Sequence, residues 1–597
     1  MLGVYINDLP PVLTTYRTAP RCGDRDFWMS LDAKHSLLVR ERAKSAQKQV
    51  FPPLPATQYL AFIRTGNRVV YETPYFQRRK LLASLVLGYC MEPDQALLDA
   101  IVDGIWAICE ETSWCLPAHN SYIRDAEQLP LPDANRPVID LFSAETGALL
   151  AQTHALICDD LEAISPLLNK RIISEIEKRI FIPYDTEHFW WMGSGEEPMN
   201  NWTVWCTQNV LLCTFLLPTD QAFRAKVAAK ALLGIDCFLK DYGEDGCCSE
   251  GAQYYRHAGL CLYVCLDILN DVSGNALKPV FKEPKIRNIA SYIRHIHAQG
   301  PYYFNFSDCS CLAGSCTIRE YLFAEAVGDE KLVRFALASS NLKEEEDRDL
   351  PNEINLTYRL LELVHASKRD KAASFPSQED HYYPSVGLCI SRDDVYALAV
   401  KAGGNDDSHN HNDTGSFTLF KNSQPILVDV GVETYTKQTF SKDRYSIWTM
   451  RSVYHNITNF PPYEQLAGKE YQSKILKLEQ GETSTITLEL AAAYDRNCPL
   501  QSYQRSVTHT KGKEIVLRES VEGEVQPVLT LMCMMRPTVT ENIITLGEAA
   551  TLEIQTPFLS ITVEEIPIAD ARLRNVWPET LYRILIGYET NLAIRIQ

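Results

Sequence analysis

Ser408-His409-Asn410-His411-Asn412-Asp413-Thr414-Gly415-Ser416-Phe417, read with its flanks, decides the fold of the second half of this chain. Tyr396-Ala397-Leu398-Ala399-Val400-Lys401 reads as a buried strand that ends at Gly403-Gly404. Gly415 to Phe420 alternates like a second strand, Asn422-Ser423 makes a turn, and Pro425-Ile426-Leu427-Val428-Asp429-Val430-Gly431 reads as a third. The polar loop therefore opens from a strand mouth, where a rigid scaffold carries functional groups. The whole chain of 597 residues has 13 histidines, so two at a one-residue interval mark this loop out.

Imidazole and carboxylate are ligands suited to a zinc-like ion. Asp429 is the one acid in the apolar run Ile426 to Val430, where a carboxylate is costly unless paired or bound to a cation. His455 follows in Arg451-Ser452-Val453-Tyr454-His455-Asn456. The spacing is not a short regular metal motif. The residues by themselves also admit Asp429 as a turn cap and His455 as a core histidine.

The order of these motifs resembles the heparinase II/III-like family of polysaccharide lyases. The likeness runs from His409-Asn410-His411-Asn412-Asp413-Thr414-Gly415 through Leu427-Val428-Asp429-Val430-Gly431, Tyr435-Thr436 and Arg444-Tyr445 to His455-Asn456. It implies a zinc ion, mainly structural, on His411, Asp429 and His455. It places His409 in the active site, with Tyr435 and Arg444 toward the substrate. In an extended chain His409 and His411 face the same way, so splitting their roles needs a bend. Asn410 and Asn412 tolerate one.

Residues up to about 370 read as helical. Apolar stripes with a 3.6-residue period cover Gln77 to Tyr89, Gln95 to Cys109, Gly147 to Leu168, Lys170 to Phe181, Trp202 to Leu217 and Ala222 to Leu239. Composition shifts between Asp370 and Asp380, and short β-branched runs dominate beyond. The expected architecture is an N-terminal (α/α) toroid of helical hairpins, residues 1–372, then an antiparallel β-sandwich, residues 373–597. That pairing also resembles the family's fold.

Two clusters stand out in the helical part. Pro198-Met199-Asn200-Asn201-Trp202-Thr203-Val204-Trp205 opens a helix, whose N-terminus favours an anion; an ordinary asparagine cap is the plainer reading. Glu250-Gly251-Ala252-Gln253-Tyr254-Tyr255-Arg256-His257 reads as a turn that opens a second helix. By resemblance Tyr254 is the catalytic tyrosine, with Tyr255 in reserve, and Asn201 holds the substrate carboxylate. Asn200, Trp202, Glu250 and Arg256 are then substrate-binding candidates. Trp202 stands where related lyases often have histidine, which bears on subsite and epimer preference.

β-Elimination of a uronate removes the C5 proton and expels the C4 oxygen. Donors must stabilise charge on the carboxylate, and Asn201, His409 and Arg444 are of the right type. A phenol titrates near ~10 when unperturbed. Positive charge from Arg256 and the histidine loop is expected to lower Tyr254 toward working pH. The expected substrate is an anionic uronate-containing glycan, a glycosaminoglycan or its fragments, with alginate or oligoalginate as the alternative. A glycoside hydrolase on the same scaffold is the rival class, for which Glu250 and Asp245 are available carboxylates.

The formal charge of −18 disfavours nucleic acid as a partner. Arg256, Lys401, Arg444 and Arg451 are expected to form a local basic groove. No apolar run is long enough to span a membrane. The first residues lack a basic, then apolar, leader pattern, so a cytoplasmic location is expected, or a periplasmic or secreted one if a leader has been removed. The 18 cysteines then read as reduced, buried thiols. A homodimer remains an open option.

Overall fold

The computed structural model describes residues 1–124, 126–369 and 371–597. Asp370, where the composition shift begins, lies outside them. The chain divides into two compact units. One comprises residues 1–242, 256–290 and 315–375; the other comprises 243–255, 291–314 and 376–597. The sequence reading placed a single cut between residues 372 and 373. It did not foresee the two short excursions that join the later unit.

The first unit is helical. Helices Val69–Met91 and Gln95–Cys109 pack as a hairpin, as do Leu141–Ile164 with Pro166–Ile176, Asn201–Leu216 with Gln221–Asp241, and Ile318–Val327 with Glu330–Ser340. One member of each hairpin also packs on its neighbours. The row returns on itself because Leu356–Val364 packs against Leu141–Ile164. Polar side chains seal that closure. Asn355 donates to Glu145 and Asn209, each at 3.0 Å, and Tyr358 donates to Gln208 at 2.7 Å. The expected stripe Gly147 to Leu168 breaks at Ser165. This residue is extended, and its hydroxyl accepts from Leu167 N–H, with Pro166 at the first helical position. A proline there has no N–H to lose and a preset φ.

The second unit is built from antiparallel strands. A five-stranded sheet runs in the order His381–Tyr383, Leu388–Arg392, Tyr396–Lys401, Phe417–Lys421, Gln424–Leu427. An eight-stranded sheet holds the long pair Leu500–Thr510 and Glu514–Gly523, and a four-stranded sheet is centred on Val528–Cys533 and Thr580–Gly587. Leu398, Phe417, Val507, Leu517, Leu529 and Ile584, drawn from these three larger sheets, share one apolar core. Burying each such side chain contributes roughly 1.5–3 kcal/mol. The expected third strand is shorter than read: it ends at Leu427, and Asp429 lies just past it.

None of the 18 cysteines forms a disulfide, and all but Cys237 are buried. Among the described residues no helix is long and apolar enough to cross a membrane.

Candidate active site

The histidine loop leaves strand Tyr396–Lys401 and returns at Phe417–Lys421, and its amides hold it in shape. The Gln465 side chain accepts from Thr414 N–H at 3.0 Å and donates to the Thr414 carbonyl at 2.7 Å. Thr414 Oγ1 donates to Asn405, and Asn412 donates to the Gln465 carbonyl at 3.1 Å. Arg505 is fully buried, pairs with Glu519 at 2.5 Å, and donates to the carbonyls of Gly415 and Asn456 at 2.6 Å each. This buried cation therefore ties the loop's end to the segment that carries His455.

The expected bend is present, but it sits at His409 itself, with φ 55°, rather than at either asparagine. A non-glycine residue in the left-handed region costs energy that surrounding contacts must offset. Here Asp308 supplies them. Its carboxylate meets His409 Nδ1 at 2.8 Å and His411 Nε2 at 3.0 Å, and accepts from Arg444 at 2.6 Å and the Tyr435 hydroxyl at 3.1 Å. Burial opposes ionisation of Asp308. The hydrogen bonds from both histidines and the Arg444 charge overcome it, holding the carboxyl well below the usual range. Burial also pulls the His409 pKa down, but its bond to Asp308, with the charges of Glu250 and Asp308, leaves it raised.

The Tyr254 and Tyr435 hydroxyls are hydrogen-bonded to each other. The Tyr254 ring stacks on His409 with centroids 5.0 Å apart, and Phe440 closes edge-on at 5.9 Å from His409. Arg572 lies over the Tyr435 ring at 4.7 Å and donates to the Asp308 carbonyl at 3.2 Å. The expected lowering of the Tyr254 pKa is not found. Burial pushes it up, and the bond to Tyr435 and the Arg572 charge only partly oppose this. Tyr255 is fully buried against Tyr292, which makes it a core residue rather than a reserve. The helix expected after Glu250-Gly251 is only the turn Ala252–Tyr255. Glu250 accepts from the Ser408 hydroxyl at 2.9 Å.

Arg256 belongs to the helical unit, where it donates to the Ser315 carbonyl at 2.7 Å and lies 3.6 Å from Glu320. Lys401 is buried between Asp413 and Asp407, Arg451 pairs with Glu464, and Arg444 is committed to Asp308. The expected basic groove is therefore not formed by these four cations, because each is paired internally. In the helical unit Asn200, not Asn201, is the helix cap: its Oδ1 accepts from Trp202 N–H at 3.1 Å. Asn201 is the first helical residue and is buried. Trp202 packs edge-on against His119 with ring centroids 4.7 Å apart.

His411, Asp429 and His455 come together as read. One ligand atom from each lies within 4.8 Å of the others, and all three residues are buried. Asp429 caps its own turn by accepting from Gly431 N–H at 2.9 Å, and its other oxygen meets His455 Nδ1 at 2.9 Å. Gly431 is required there: its φ is 80°, and a Cβ would sit 3.0 Å from the Cys309 carbonyl oxygen. Among the described residues, His411 Nδ1 and His455 Nε2 are buried without a hydrogen-bond partner. Two such orphaned imidazole nitrogens beside a carboxylate are a donor set that fits a zinc-like ion.

Asp308, Arg572 and Phe440 were missed. Asp308 had a faint signal, as a lone acid in Asn305-Phe306-Ser307-Asp308-Cys309. Arg572 had none, since only folding brings it beside Tyr435.

Residues 376–563 match the family model described as Heparinase II/III-like, C-terminal. Comparison with curated proteins finds no match. Among solved structures, one titled Crystal Structure of Heparinase III aligns at TM-score 0.66 and 12% identity, over 100% of this chain and 88% of that one. The heparan sulfate lyase HepC of Pedobacter heparinus aligns at 0.55 and 13%, over 94% and 88%. The chondroitin AC lyase of Streptomyces coelicolor A3 aligns at 0.51 and 12%, over 100% and 81%. At these identities the likeness is one of fold: a helical toroid followed by an antiparallel β domain. Residues 376–563, which carry the histidine loop, match the heparinase II/III-like C-terminal domain, and the chain shares the fold of these solved lyases.

Proposed function

We propose that this chain is a carbon–oxygen lyase that cleaves uronate-containing glycans by β-elimination, with a glycosaminoglycan or its fragments as substrate. One observation carries the reading. A tyrosine hydroxyl pair, Tyr254 with Tyr435, adjoins the stacked imidazole of His409. The acids beside them, Asp308 and Glu250, are bonded to other side chains rather than set as an opposed pair. Hydrolysis of a glycoside usually needs two carboxylates facing the bond. Proton transfer by phenol and imidazole suits elimination. The solved proteins of this fold named above are titled as a heparinase, a heparan sulfate lyase and a chondroitin lyase.

Because burial raises its pKa, Tyr254 keeps its proton near neutrality, which suits donation to the departing C4 oxygen. Asp308 at Nδ1 fixes the His409 tautomer, leaving Nε2 to take the C5 proton. Tyr254 is thus given the acid role and His409 the base role, where a Tyr254 pKa lowered toward working pH was expected. Asn201 is assigned the substrate carboxylate by resemblance. His411, Asp429 and His455 would hold zinc, which would brace the loop carrying His409 rather than touch the sugar.

The test is incubation with hyaluronan, chondroitin, heparan, heparin and alginate fragments, read by ultraviolet absorbance. Elimination leaves a C4–C5 double bond conjugated to the carboxylate, which absorbs. New reducing ends without absorbance would mean hydrolysis, and no cleavage of any fragment would remove the enzymatic reading.

A further inference from the structure

Phe440 is the exposed member of the aromatic group around His409, and all of that group belongs to the second unit. The rings of Tyr254 and Tyr435 lie within 28° and 24° of the imidazole plane, so the three are close to parallel. Phe440 stands across them. Its plane is 86° from His409 and 67° from Tyr435, with centroids 5.9 and 5.0 Å away. The His409 side chain keeps 19% of its surface, whereas Phe440 keeps 56%.

A single exposed apolar side chain is ordinary on a protein surface. This one is set apart by its contacts and by its support. Phe440 ends the tight turn Gln438–Phe440, and the preceding Thr439 is buried. Thr436 N–H donates to Thr439 Oγ1 at 3.0 Å, Arg444 donates to the Thr439 carbonyl at 3.0 Å, and Gln438 donates to the Ser446 hydroxyl at 2.8 Å. The same Arg444 bonds Asp308, so the turn that presents Phe440 is tied to the acid that fixes His409. The ring therefore forgoes burial while its backbone is braced. A pre-set apolar surface beside reactive groups is what a binding site supplies.

The face of an aromatic ring carries negative charge density. The C–H bonds on the face of a pyranose ring are its positive complement, and they are the main apolar surface that such a sugar offers. Stacking fixes the plane of the sugar and leaves its hydroxyl and acidic groups to water or to other side chains. We infer that Phe440 is a stacking residue for a pyranose ring of the glycan, next to the bond on which His409 and Tyr254 act. The inference rests on the lyase reading for the identity of the glycan, and it adds the residue that holds the sugar in register.

The test compares the full chain with Phe440→Ala, Phe440→Leu and Phe440→Trp on hexasaccharides of heparan, chondroitin, hyaluronan and alginate. Ultraviolet kinetics gives kcat and KM. Titration calorimetry in a Tyr254→Phe background gives affinity without consuming the ligand. Phe440→Ala should raise KM and the dissociation constant about tenfold, with a smaller fall in kcat. Phe440→Trp should restore most of the affinity, and Phe440→Leu should not, because leucine is apolar but has no π face. Melting should be unchanged in all three, since the side chain is exposed. Unchanged affinity in Phe440→Ala, or full affinity in Phe440→Leu, overturns the proposal. So does a melting point several degrees lower in Phe440→Ala, which would make the ring a brace of its own turn. Binding without cleavage by the wild-type chain removes the lyase reading alone, and the Phe440 dependence of that binding still decides the stacking role. Cleavage that is indifferent to Phe440 removes the stacking role alone. If no hexasaccharide binds, both fall.

Discussion

The Asp308 carboxylate meets His409 Nδ1 at 2.8 Å through one oxygen and His411 Nε2 at 3.0 Å through the other. A single buried acid thus joins the imidazole assigned to proton transfer with an imidazole assigned to metal. Asp308 is therefore a positioning residue. Asp308→Asn keeps the shape but removes the charge and one acceptor. Outer-shell partners of this kind are typically worth about 10–100-fold, so kcat should fall by that much while KM changes little. Steady-state kinetics checks this, and a KM effect alone would count against it.

Tyr254→Phe should lower turnover by about 10²–10⁴-fold, the usual worth of a proton carrier. The ring still fills its place against His409, and the lost bond to Tyr435 should cost only about 1 kcal/mol of stability. Near-native turnover in a folded variant would remove Tyr254 from the chemistry.

Asn201→Ala should lower kcat more than it raises KM. The substrate carboxylate gains charge as the C5 proton leaves, so an amide donor there serves mainly the transition state. A pure KM change would reduce Asn201 to ordinary binding.

Protein purified without chelator should contain about one zinc per chain by elemental analysis. Asp429→Ala should lose that metal and melt several degrees lower, since ligand loss and folding are linked. Activity should fall with them, as His409 loses its support. A variant with unchanged melting but no turnover would make the metal catalytic rather than bracing.

His297 offers a pH test away from the site. Burial pushes its pKa down to about 4, Arg392 adds to this, and the Nε2 bond to the Gly300 carbonyl partly opposes it. In the unfolded chain a histidine titrates near ~6.5. The unfolded state therefore binds more protons, and stability falls as pH drops from about 6.5 to about 4. The loss reaches about 3 kcal/mol at 1.36 per pKa unit. His297→Gln should flatten this part of the melting-versus-pH curve. An unchanged slope would show that His297 does not titrate in that window.

The sequence by itself determined the class of each half. Helical period and strand alternation are local properties, and the boundaries of Gln95–Cys109 and Tyr396–Lys401 were read without error. The triad His411, Asp429 and His455 was also legible, because the motif order of a known family spans a short stretch of chain. The positioning of His409 was not. It depends on Asp308, 101 residues earlier, and on Arg572 far downstream, and neither lies in a pattern with a period. The sign of the Tyr254 pKa shift was likewise beyond the sequence. Arg256 is its neighbour in the chain, but its charge is engaged by Glu320, and burial decides the shift. Charge and desolvation act through space, so only the tertiary structure says which groups face one another and which of them water still reaches.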